Sequence, residues 1–383
     1  MNPLPSYFTA VPDPRGQSNA QRHLLLDILM IALCAVLSGA ETFVEMEDFG
    51  RAKHGWLAQR LGLTLPHGIP SHDTFGRVFA RLDPHAFGAA MQTWTQALHQ
   101  ETRGQVVALD GKTVRRSFDT ATGKAALHVV SAWATRSQLV LAQQAVDGKS
   151  NEITAVPKLL ELLDIKGCIV TADALNSHKE IARAIVKRGA DYVLALKDNH
   201  ALLHREVRDF CHWCQGQPGG LQALADDFVE DKNWGHGRAE VRRCYALAAT
   251  PQDWPAALRQ WPQLKSIVAV QSSRSANANA SANTVQWRFY LSSLPADAKL
   301  LLDAVRSHWQ VENNVHWCLD VAFDEDRSRA RKDHSAQNLA VLRRLALNLL
   351  RQDKSAKSGL KARRLRAGWN SDYLIRILCT SHP

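Results

Sequence analysis

Three carboxylates stand at positions where a negative charge has to be compensated. Asp110 ends the apolar run 106–109, Asp173 ends the largely apolar run 169–172, and Glu312 lies in the apolar stripe of a later helical segment. Carboxylates in such places cost stability unless a cation balances them. If the three converge, their oxygens suit Mg²⁺, and two such ions can clamp the attacking and leaving oxygens of a phosphodiester.

Each acid also has an ordinary structural interpretation. An aspartate after an apolar run is usually a strand end or a helix N-cap, and a glutamate in a helix is usually solvated. The position of Glu312 favours a function, because its helical face, which it shares with His316, is otherwise apolar. That face carries Leu302, Val305, Trp309, Leu319 and Phe323.

The segments around the three acids carry a family resemblance. In chain order they are LDGKTVRR (109–116), DGKSNEI (147–153), TADALN (171–176), HWQVENNVHW (308–317) and DEDRSR (324–329). Together they resemble the ISAs1 family of insertion-sequence transposases, also met as H-repeat-associated proteins, within the wider IS4 group of DDE transposases. The match extends over nearly the whole chain. One departure is that Val305, His308 and Leu319 stand where IS4 members carry Tyr, Arg and Lys.

The resemblance implies a DNA transposase that cuts the ends of an insertion sequence and joins them to target DNA by two-metal-ion phosphoryl transfer. Asp110, Asp173 and Glu312 would be catalytic and would bind two Mg²⁺ ions, or Mn²⁺ in their place. The partners would be the terminal inverted repeats and target DNA, bound by a homodimer. Two alternatives stay open: a metal-dependent nuclease of repair or recombination, and a catalytically decayed DNA-binding protein.

The implied fold class is α/β, with an RNase H-like catalytic domain, an inserted mainly-β subdomain and a helical N-terminal domain. Three consecutive strands and then alternating strands and helices fit that order. The predicted strands are 106–110, 128–134, 139–146, 169–173 and 192–197. In an RNase H-like sheet the first and fourth strands are neighbours, which would bring Asp110 beside Asp173.

The resemblance also suggests domain boundaries. We expect a helical domain over residues 1–100 and the catalytic domain over 101–383. The β-rich insertion would occupy about 200–295, and a basic helical part would occupy about 327–383. Strand patterns in the insertion fall at 241–247, 265–272 and 285–291, and helix patterns at 301–323 and 335–350 follow it.

Charge is unevenly distributed along the chain. The net charge is +10, and the segment from Arg327 to Arg366 contains thirteen Lys or Arg residues against Asp333 and Asp353. Such a block is typical of a protein that binds a polyanion. The alternative is a solvated segment that only aids solubility.

Several other residues are candidates for contacts with DNA. They are Lys112, Arg115, Arg116, Lys197, Trp234, His236, Arg238, His308, Asn313, Arg327 and Arg329. Lys112 could equally offset acidic charge, and Lys197 could be a solvated lysine. Trp234, expected in a glycine-bounded loop, could stack on an unpaired base or be a core tryptophan. His308 and His316 could be zinc ligands, but hydrogen bonds to Glu312 or to DNA phosphate are the better expectation.

Location is indicated by two weaker signals. The apolar stretch 24–37 is too short to span a bilayer and contains Asp27, so we expect a core helix and no membrane partner. Seven scattered cysteines suggest reduced thiols in a cytoplasm. A bacterial, nucleoid-associated location is what the resemblance implies. The pair Cys211 and Cys214 is more readily an incidental helical pair than a zinc site.

Overall fold

The computed structural model describes residues 3–16, 21–98, 104–146, 152–235, 238–249, 257–275 and 284–379. The chain divides into two compact units, which we call the helical unit and the sheet unit. The helical unit comprises residues 1–101, 111–151 and 312–383, and the sheet unit comprises 102–110 and 152–311. The domain boundaries expected from the sequence follow a different division and stay a prediction.

The fold mixes α-helices with β-strands. The strands are β1 (Val106–Thr113), β2 (His128–Ala134), β3 (Leu139–Val146), β4 (Ile169–Ala172), β5 (Asp191–Leu196), β6 (Asp227–Gly235), β7 (Arg238–Ala248), β8 (Ser266–Ser275) and β9 (Thr284–Ser292). The helices are α1 (Leu4–Phe8), α2 (Leu25–Leu37), α3 (Phe43–Ala52), α4 (His54–Leu61), α5 (His72–Arg81), α6 (Pro84–Leu98), α7 (Glu152–Glu161), α8 (Lys179–Lys187), α9 (Ala201–Gln215), α10 (Gly220–Leu224), α11 (Ala298–His308), α12 (Trp317–Val321), α13 (Ser335–Gln352), α14 (Leu360–Trp369) and α15 (Ser371–Cys379).

The sheet unit is built on strands in the order β1-β4-β5-β9-β8-β7-β6. β1 pairs in parallel with β4, and β4 with β5, whereas the remaining pairs are antiparallel. Leu109 lies opposite Ala172 in the register of β1 and β4. The prediction that the first and fourth strands are neighbours is therefore confirmed.

The β-rich stretch before the third acid extends this sheet. The three strands predicted there correspond to β7, β8 and β9, and β9 pairs with β5. Backbone pairing therefore continues from β5 into these strands. The inserted mainly-β subdomain expected from the sequence stays a prediction. β6 was not predicted, because it is an edge strand whose charged residues Glu230, Asp231 and Lys232 hide the apolar alternation of a buried strand.

One face of the sheet packs against α11. Leu301, Leu302 and Val305 of this helix are buried in a cluster with Val268 and Tyr290 from the strands. The recurrence of apolar residues at helical spacing explains why α11 lies on the sheet. This packing confirms the predicted inward face of the helix as far as Val305.

The segment that follows α11 departs from the predicted single helix over 301–323. α11 ends at His308, residues Glu312–His316 form a π-helical turn, and α12 begins at Trp317. The wider π turn changes which side chains share a face, because the spacing of about 3.6 residues per turn no longer applies. Trp309, predicted on the apolar stripe, directly follows the last residue of α11 and is 45% exposed.

The helical unit has its core around α13. All of its residues except Gln337, Arg351 and Gln352 are buried, and it packs against α2, α5, α6 and β3. Asn348 accepts from the backbone N–H of Val140 at 2.8 Å and donates to the Val140 carbonyl at 2.9 Å. This side chain therefore provides the backbone of β3 with the two hydrogen bonds that a neighbouring strand would otherwise form.

The core helix predicted near the N-terminus is confirmed as α2, in which every residue except Leu26 is buried. Among the residues that the structure describes, no helix is both long and apolar enough to cross a lipid bilayer. Cys211 and Cys214 are free thiols buried on α9, a placement that favours the incidental helical pair over a zinc site.

Candidate active site

Two of the three candidate acids lie side by side in the sheet unit. Asp173 directly follows β4, and Asp110 is the residue after Leu109, which lies opposite Ala172. Because parallel strands end at the same edge of a sheet, both carboxylates emerge at that edge. Each side chain is partly exposed and therefore accessible to a ligand.

The carboxylate of Asp173 is oriented by a buried network that the sequence analysis did not identify. The backbone N–H and the side-chain amide of Asn176 both donate to Asp173 Oδ1 at 3.1 Å. The same amide donates to Glu152 Oε2 at 2.6 Å. Glu152 and Asn176 are buried. Their only signal in the sequence was that both fall within the segments that carry the family resemblance.

His308 has a partner that the sequence did not predict. Its Nδ1 lies 3.0 Å from the hydroxyl of Thr171, a residue of β4. Thr171 precedes Asp173 by two positions, so strand periodicity puts the two on one face. His308 is therefore linked to the strand that carries Asp173.

Glu312, the third acid, belongs to the helical unit and lies on the π-helical turn. His316 Nδ1 lies 3.0 Å from Glu312 Oε2, which confirms the predicted hydrogen bond between them. Burial lowers the pKa of His316 below its usual value of 6.5, and the nearby Glu312 offsets this only in part. A neutral imidazole at pH 7 is then the expected donor, while Glu312 remains 62% exposed. π turns of this kind occur frequently at functional sites.

Lys112 is enclosed by acids of the helical unit. Its Nζ lies 2.7 Å from Asp320, 3.0 Å from Asp326 and 3.8 Å from Glu325, and the side chain is buried. A buried ammonium committed to three carboxylates has little capacity to reach DNA. The structure thus favours the second of the two roles considered for Lys112, that of a counter-ion.

The acids around Lys112 have opposite pKa shifts. Burial raises the pKa of Asp320, and Lys112 compensates it only in part. Burial alone would also raise the pKa of Glu325, but Arg344 and Lys112 more than offset this and hold the pKa below its usual value. Arg344 Nη1 lies 3.1 Å from Glu325, and both side chains are fully buried.

The remaining candidates for DNA contacts differ in availability. Exposed side chains belong to Arg115, Arg116, Lys197, Trp234, Asn313, Arg327 and Arg329. Arg115 lies 3.2 Å from Asp326, and Arg327 lies 3.5 Å from Asp324. His236 and the side chain of Arg238 fall outside the described part of the structure.

Trp234 is 61% exposed, which excludes the core-tryptophan alternative. It lies on β6 opposite Ala239. The prediction of a loop position was therefore wrong, because the strand extends to Gly235.

The basic block does not form one DNA-binding surface. Arg343, Arg344 and Arg364 are buried, and Arg363 donates to the carbonyls of residues such as Leu350. Arg364 forms an ion pair with Glu41 at 2.5 Å, and its guanidinium also donates hydrogen bonds to several backbone carbonyls. The charge count overestimated the free cations because it could not separate buried arginines from exposed ones. The exposed cations of the block are Arg327, Arg329, Lys332, Lys354, Lys357, Lys361 and Arg366.

Comparison with known proteins gives a consistent result. A family model described as "Transposase DDE domain" matches residues 101–349, and a second, described as "DDE_Tnp_1-associated", matches residues 6–95. The candidate transposase YncI of Escherichia coli O157:H7 is 37% identical over 377 residues, covering 98% of this chain and 94% of the relative. The H repeat-associated candidate transposase YhhI of Escherichia coli K12 is 35% identical over 379 residues, covering 99% and 98%.

A solved structure is also similar over most of the chain. The synaptic complex of the piggyBac transposase with hairpin DNA aligns over 97% of this chain and 77% of its own. The TM-score is 0.43 and the sequence identity is 10%, a likeness too distant to bear on the fold or function of this protein.

The buried pair of Glu325 and Arg344 generates a prediction about stability. Glu325→Gln should lower the free energy of unfolding by about 3–5 kcal/mol, because it leaves the buried Arg344 without a charged partner. Urea unfolding followed by circular dichroism measures the change. Asp303→Asn is the control, because it breaks an exposed pair with Lys299 worth only about 0.3–0.5 kcal/mol.

The pH dependence of this effect has a definite sign. The pKa of Glu325 is lowered in the folded protein, so its stabilisation is fully present above its usual value of 4.5. The stabilisation is lost as the pH falls through the lower, folded pKa. The stability difference between wild type and Glu325→Gln should therefore shrink on acidification, and a constant difference would contradict the assignment.

Proposed function

Because this chain belongs to the family of transposases with a DDE domain, of the H-repeat-associated type, we propose that it cuts the ends of its insertion sequence and joins them to target DNA. The observation that supports this most strongly is the register of β1 and β4, which brings Asp110 and Asp173 to one edge of the sheet. A DNA transposase needs carboxylates held rigidly at such an edge, since its chemistry is displacement at phosphorus.

We assign an RNase H-like arrangement to the catalytic part. Three consecutive strands, β1 to β3, precede β4 and β5, and these two run parallel to β1. The order supports the assignment, and β6 to β9 would then be an extension of the catalytic sheet. The helical N-terminal domain, a homodimer on DNA and a cytoplasmic, nucleoid-associated location belong to the same proposal.

The acids present fit a divalent metal of the kind that DDE transposases generally use. Asp110, Asp173 and Glu312 offer only carboxylate oxygens, the ligand type that Mg²⁺ and Mn²⁺ prefer. Asp110 and Asp173 are partly exposed. Among the described residues, Glu312 accepts a hydrogen bond only from His316, through Oε2. When bound by these residues, two metal ions would supply charge stabilisation to the attacking and leaving oxygens.

The reaction would run in two displacements. Water first attacks phosphorus at the element end, and the P–O bond to the 3′ oxygen breaks, which frees a 3′-hydroxyl. That hydroxyl then attacks a target phosphorus, forms a new P–O bond and releases the target 3′ oxygen. The neutral His316 would fix the orientation of the Glu312 carboxylate, and the Asn176 amide would fix that of the Asp173 carboxylate.

The first test removes the three acids one at a time. Asp110→Ala, Asp173→Ala and Glu312→Ala should each abolish Mg²⁺-dependent cleavage of end DNA. Affinity for end DNA should stay within a few-fold, because phosphate contacts come mainly from Lys and Arg. Gel assays of cleavage and of binding give the two readouts.

Asp209→Ala, which removes an exposed acid of α9, is the control and should retain cleavage. Near wild-type cleavage by any folded single mutant would remove that acid from the site. Cutting without strand transfer in the wild type would favour the nuclease alternative. Specific binding with no cutting would favour the decayed protein.

The second test uses the salt dependence of DNA binding. If roughly six to ten phosphates are neutralised, affinity should fall about 10³- to 10⁵-fold between 50 and 200 mM salt. Replacing the exposed Arg327, Arg329 and Lys332 with Gln should reduce the slope of log affinity against log salt by about 0.9 for each phosphate that is no longer neutralised. Fluorescence anisotropy at several salt concentrations measures the slope.

A triple Gln variant at Lys158, Arg183 and Lys187 is the matched control. These exposed cations lie on α7 and α8, outside the basic block, so the slope should not change. Equal slopes for both triple variants would mean that the exposed cations of the block only aid solubility.

Trp234 remains our candidate for an aromatic that holds an unstacked base near the cut end. Flipping a base costs a few kcal/mol, and stacking on an aromatic ring returns about 1–3 kcal/mol. Trp234→Ala should therefore slow the processing of the second strand more than the first nick. Parallel assays on pre-nicked and intact end DNA separate the two steps, and an equal loss on both substrates would reject the role.

A further inference from the structure

A cavity of about 670 Å³ lies in the helical unit beside the turn that carries Glu312. Its walls include Asn313 and Trp317 from the third-acid segment, and Lys354 and Lys361 from the chain between α13 and α14 and the start of α14. The volume is within the range of about 300–1,000 Å³ that is usual for pockets that hold small ligands. The cavity is therefore large enough to take a nucleotide-sized group.

One wall of the cavity is apolar and open to solvent. Trp317 is 59% exposed, and Val321 is 46% exposed. They are four residues apart on α12 and therefore share one face of the helix. Cys318 and Leu319 of the same helix are buried, so the helix is anchored by its other face. An indole held on an anchored helix is a rigid flat surface on which a ring can stack.

The other wall is cationic. Lys354 and Lys361 are exposed, and neither forms an ion pair with a described residue. Asp353 is the acid of this wall, and its carboxylate already accepts from Ser355 and from the hydroxyl of Tyr373. The free charge that faces the cavity is therefore positive.

Two arginines fix the shape of the cavity through hydrogen bonds to backbone carbonyls. Being cations, they do not compensate the charges of the two lysines. Arg351 donates to the carbonyl of Asn314 at 2.5 Å, which ties α13 to the π-helical turn. Arg363 donates to the carbonyls of Leu350 and Asp353 at 2.8 and 2.9 Å. The cavity wall is thus held by backbone contacts, so it needs no ligand to form.

We infer that this cavity, the Trp317 pocket, binds one unpaired nucleotide of DNA, with its base on Trp317 and the flanking phosphates on Lys354 and Lys361. The inference rests on the proposed function, in which DNA is the partner. An unpaired strand fits better than a duplex, because base pairs in a duplex are stacked and present only their edges. Lys354 Nζ donates to the carbonyl of Arg351 at 3.4 Å, but like that of Lys361 its charge is not paired with an acid among the described residues. A flat ring beside two such ammonium groups matches the π face and the phosphates of a single strand.

The test measures binding of a labelled single-stranded oligothymidine and of duplex end DNA by fluorescence anisotropy, in EDTA so that no cleavage occurs. Trp317→Ala should weaken single-strand binding by about 5- to 100-fold, as expected for the loss of one stacked base. Duplex binding should change by less than about two-fold, because a duplex offers no free base face. Trp317→Phe should keep most of the single-strand affinity, because a phenyl ring still stacks.

The matched control is Trp369→Ala. Trp369 is 78% exposed on α14 but does not line the pocket, so its loss should leave both affinities unchanged. Lys354→Gln with Lys361→Gln should lower the salt slope of single-strand binding by about 0.7 for each phosphate that is no longer neutralised. Thermal melting of each variant checks that it is folded.

Several outcomes would overturn the inference. Equal effects of Trp317→Ala and Trp369→Ala would show that any exposed tryptophan contributes. An equal loss on duplex and single strand would reject the unpaired base. A changed oligomeric state with unchanged DNA affinity, seen by sedimentation, would make the face a protein interface. Mg²⁺-dependent cleavage by the wild type is measured separately, so failure of the pocket and failure of the proposed function can be distinguished.

Discussion

The helical unit depends on the compensation of one buried carboxylate. Glu325 is fully buried. Its carboxylate forms an ion pair with Arg344, in the middle of α13, and lies 3.8 Å from Lys112, near the end of β1. An uncompensated charge at that depth would cost several kcal/mol, so all three segments must be in place together. The basic residues that a count along the chain assigns to a polyanion are therefore partly committed to holding the fold.

The same constraint explains why the segment 324–329 combines two kinds of residue. Glu325 is buried within it, whereas Arg327 and Arg329 are exposed. A motif read as one functional unit thus contains a residue whose contacts are structural and two that stay available for a phosphate. Sequence similarity cannot separate these roles, because a buried ion pair and a phosphate-binding site use the same residue types.

Much of the sheet unit could be predicted because its strands are short, apolar and bounded by turns. The pairing of β1 with β4 follows from the family's strand order, and in the helical unit the bounds of β2 and β3 agree with the sequence patterns. β6 could not be found, since an edge strand does not need the apolar alternation on which strand prediction rests. The extension of the sheet by β9 was also hidden, because pairing between distant strands leaves no local pattern.

The candidate site could be predicted less completely, and the reason is geometric. Asp110 lies on β1 and Asp173 directly follows β4, so the parallel register of the two strands locates both from the sequence. Glu312 stands on a π-helical turn, an irregularity that a wheel drawn at about 3.6 residues per turn does not anticipate. The buried partners Glu152 and Asn176 follow from tertiary packing, which spacing along the chain does not encode.

The end of α11 at His308 places the two tryptophans that flank the third acid in the sequence outside a continuous helix. A continuous α-helix from Leu301 would keep Trp309 on the buried stripe with Leu302 and Val305. The helix instead ends at His308, and the wider turn that follows begins at Glu312. Trp309 then lies under the guanidinium of Arg288, and Trp317 opens α12 towards solvent. Because Trp309 falls where the helix ends, an aromatic side chain that a regular helix would have placed on the buried stripe is exposed instead.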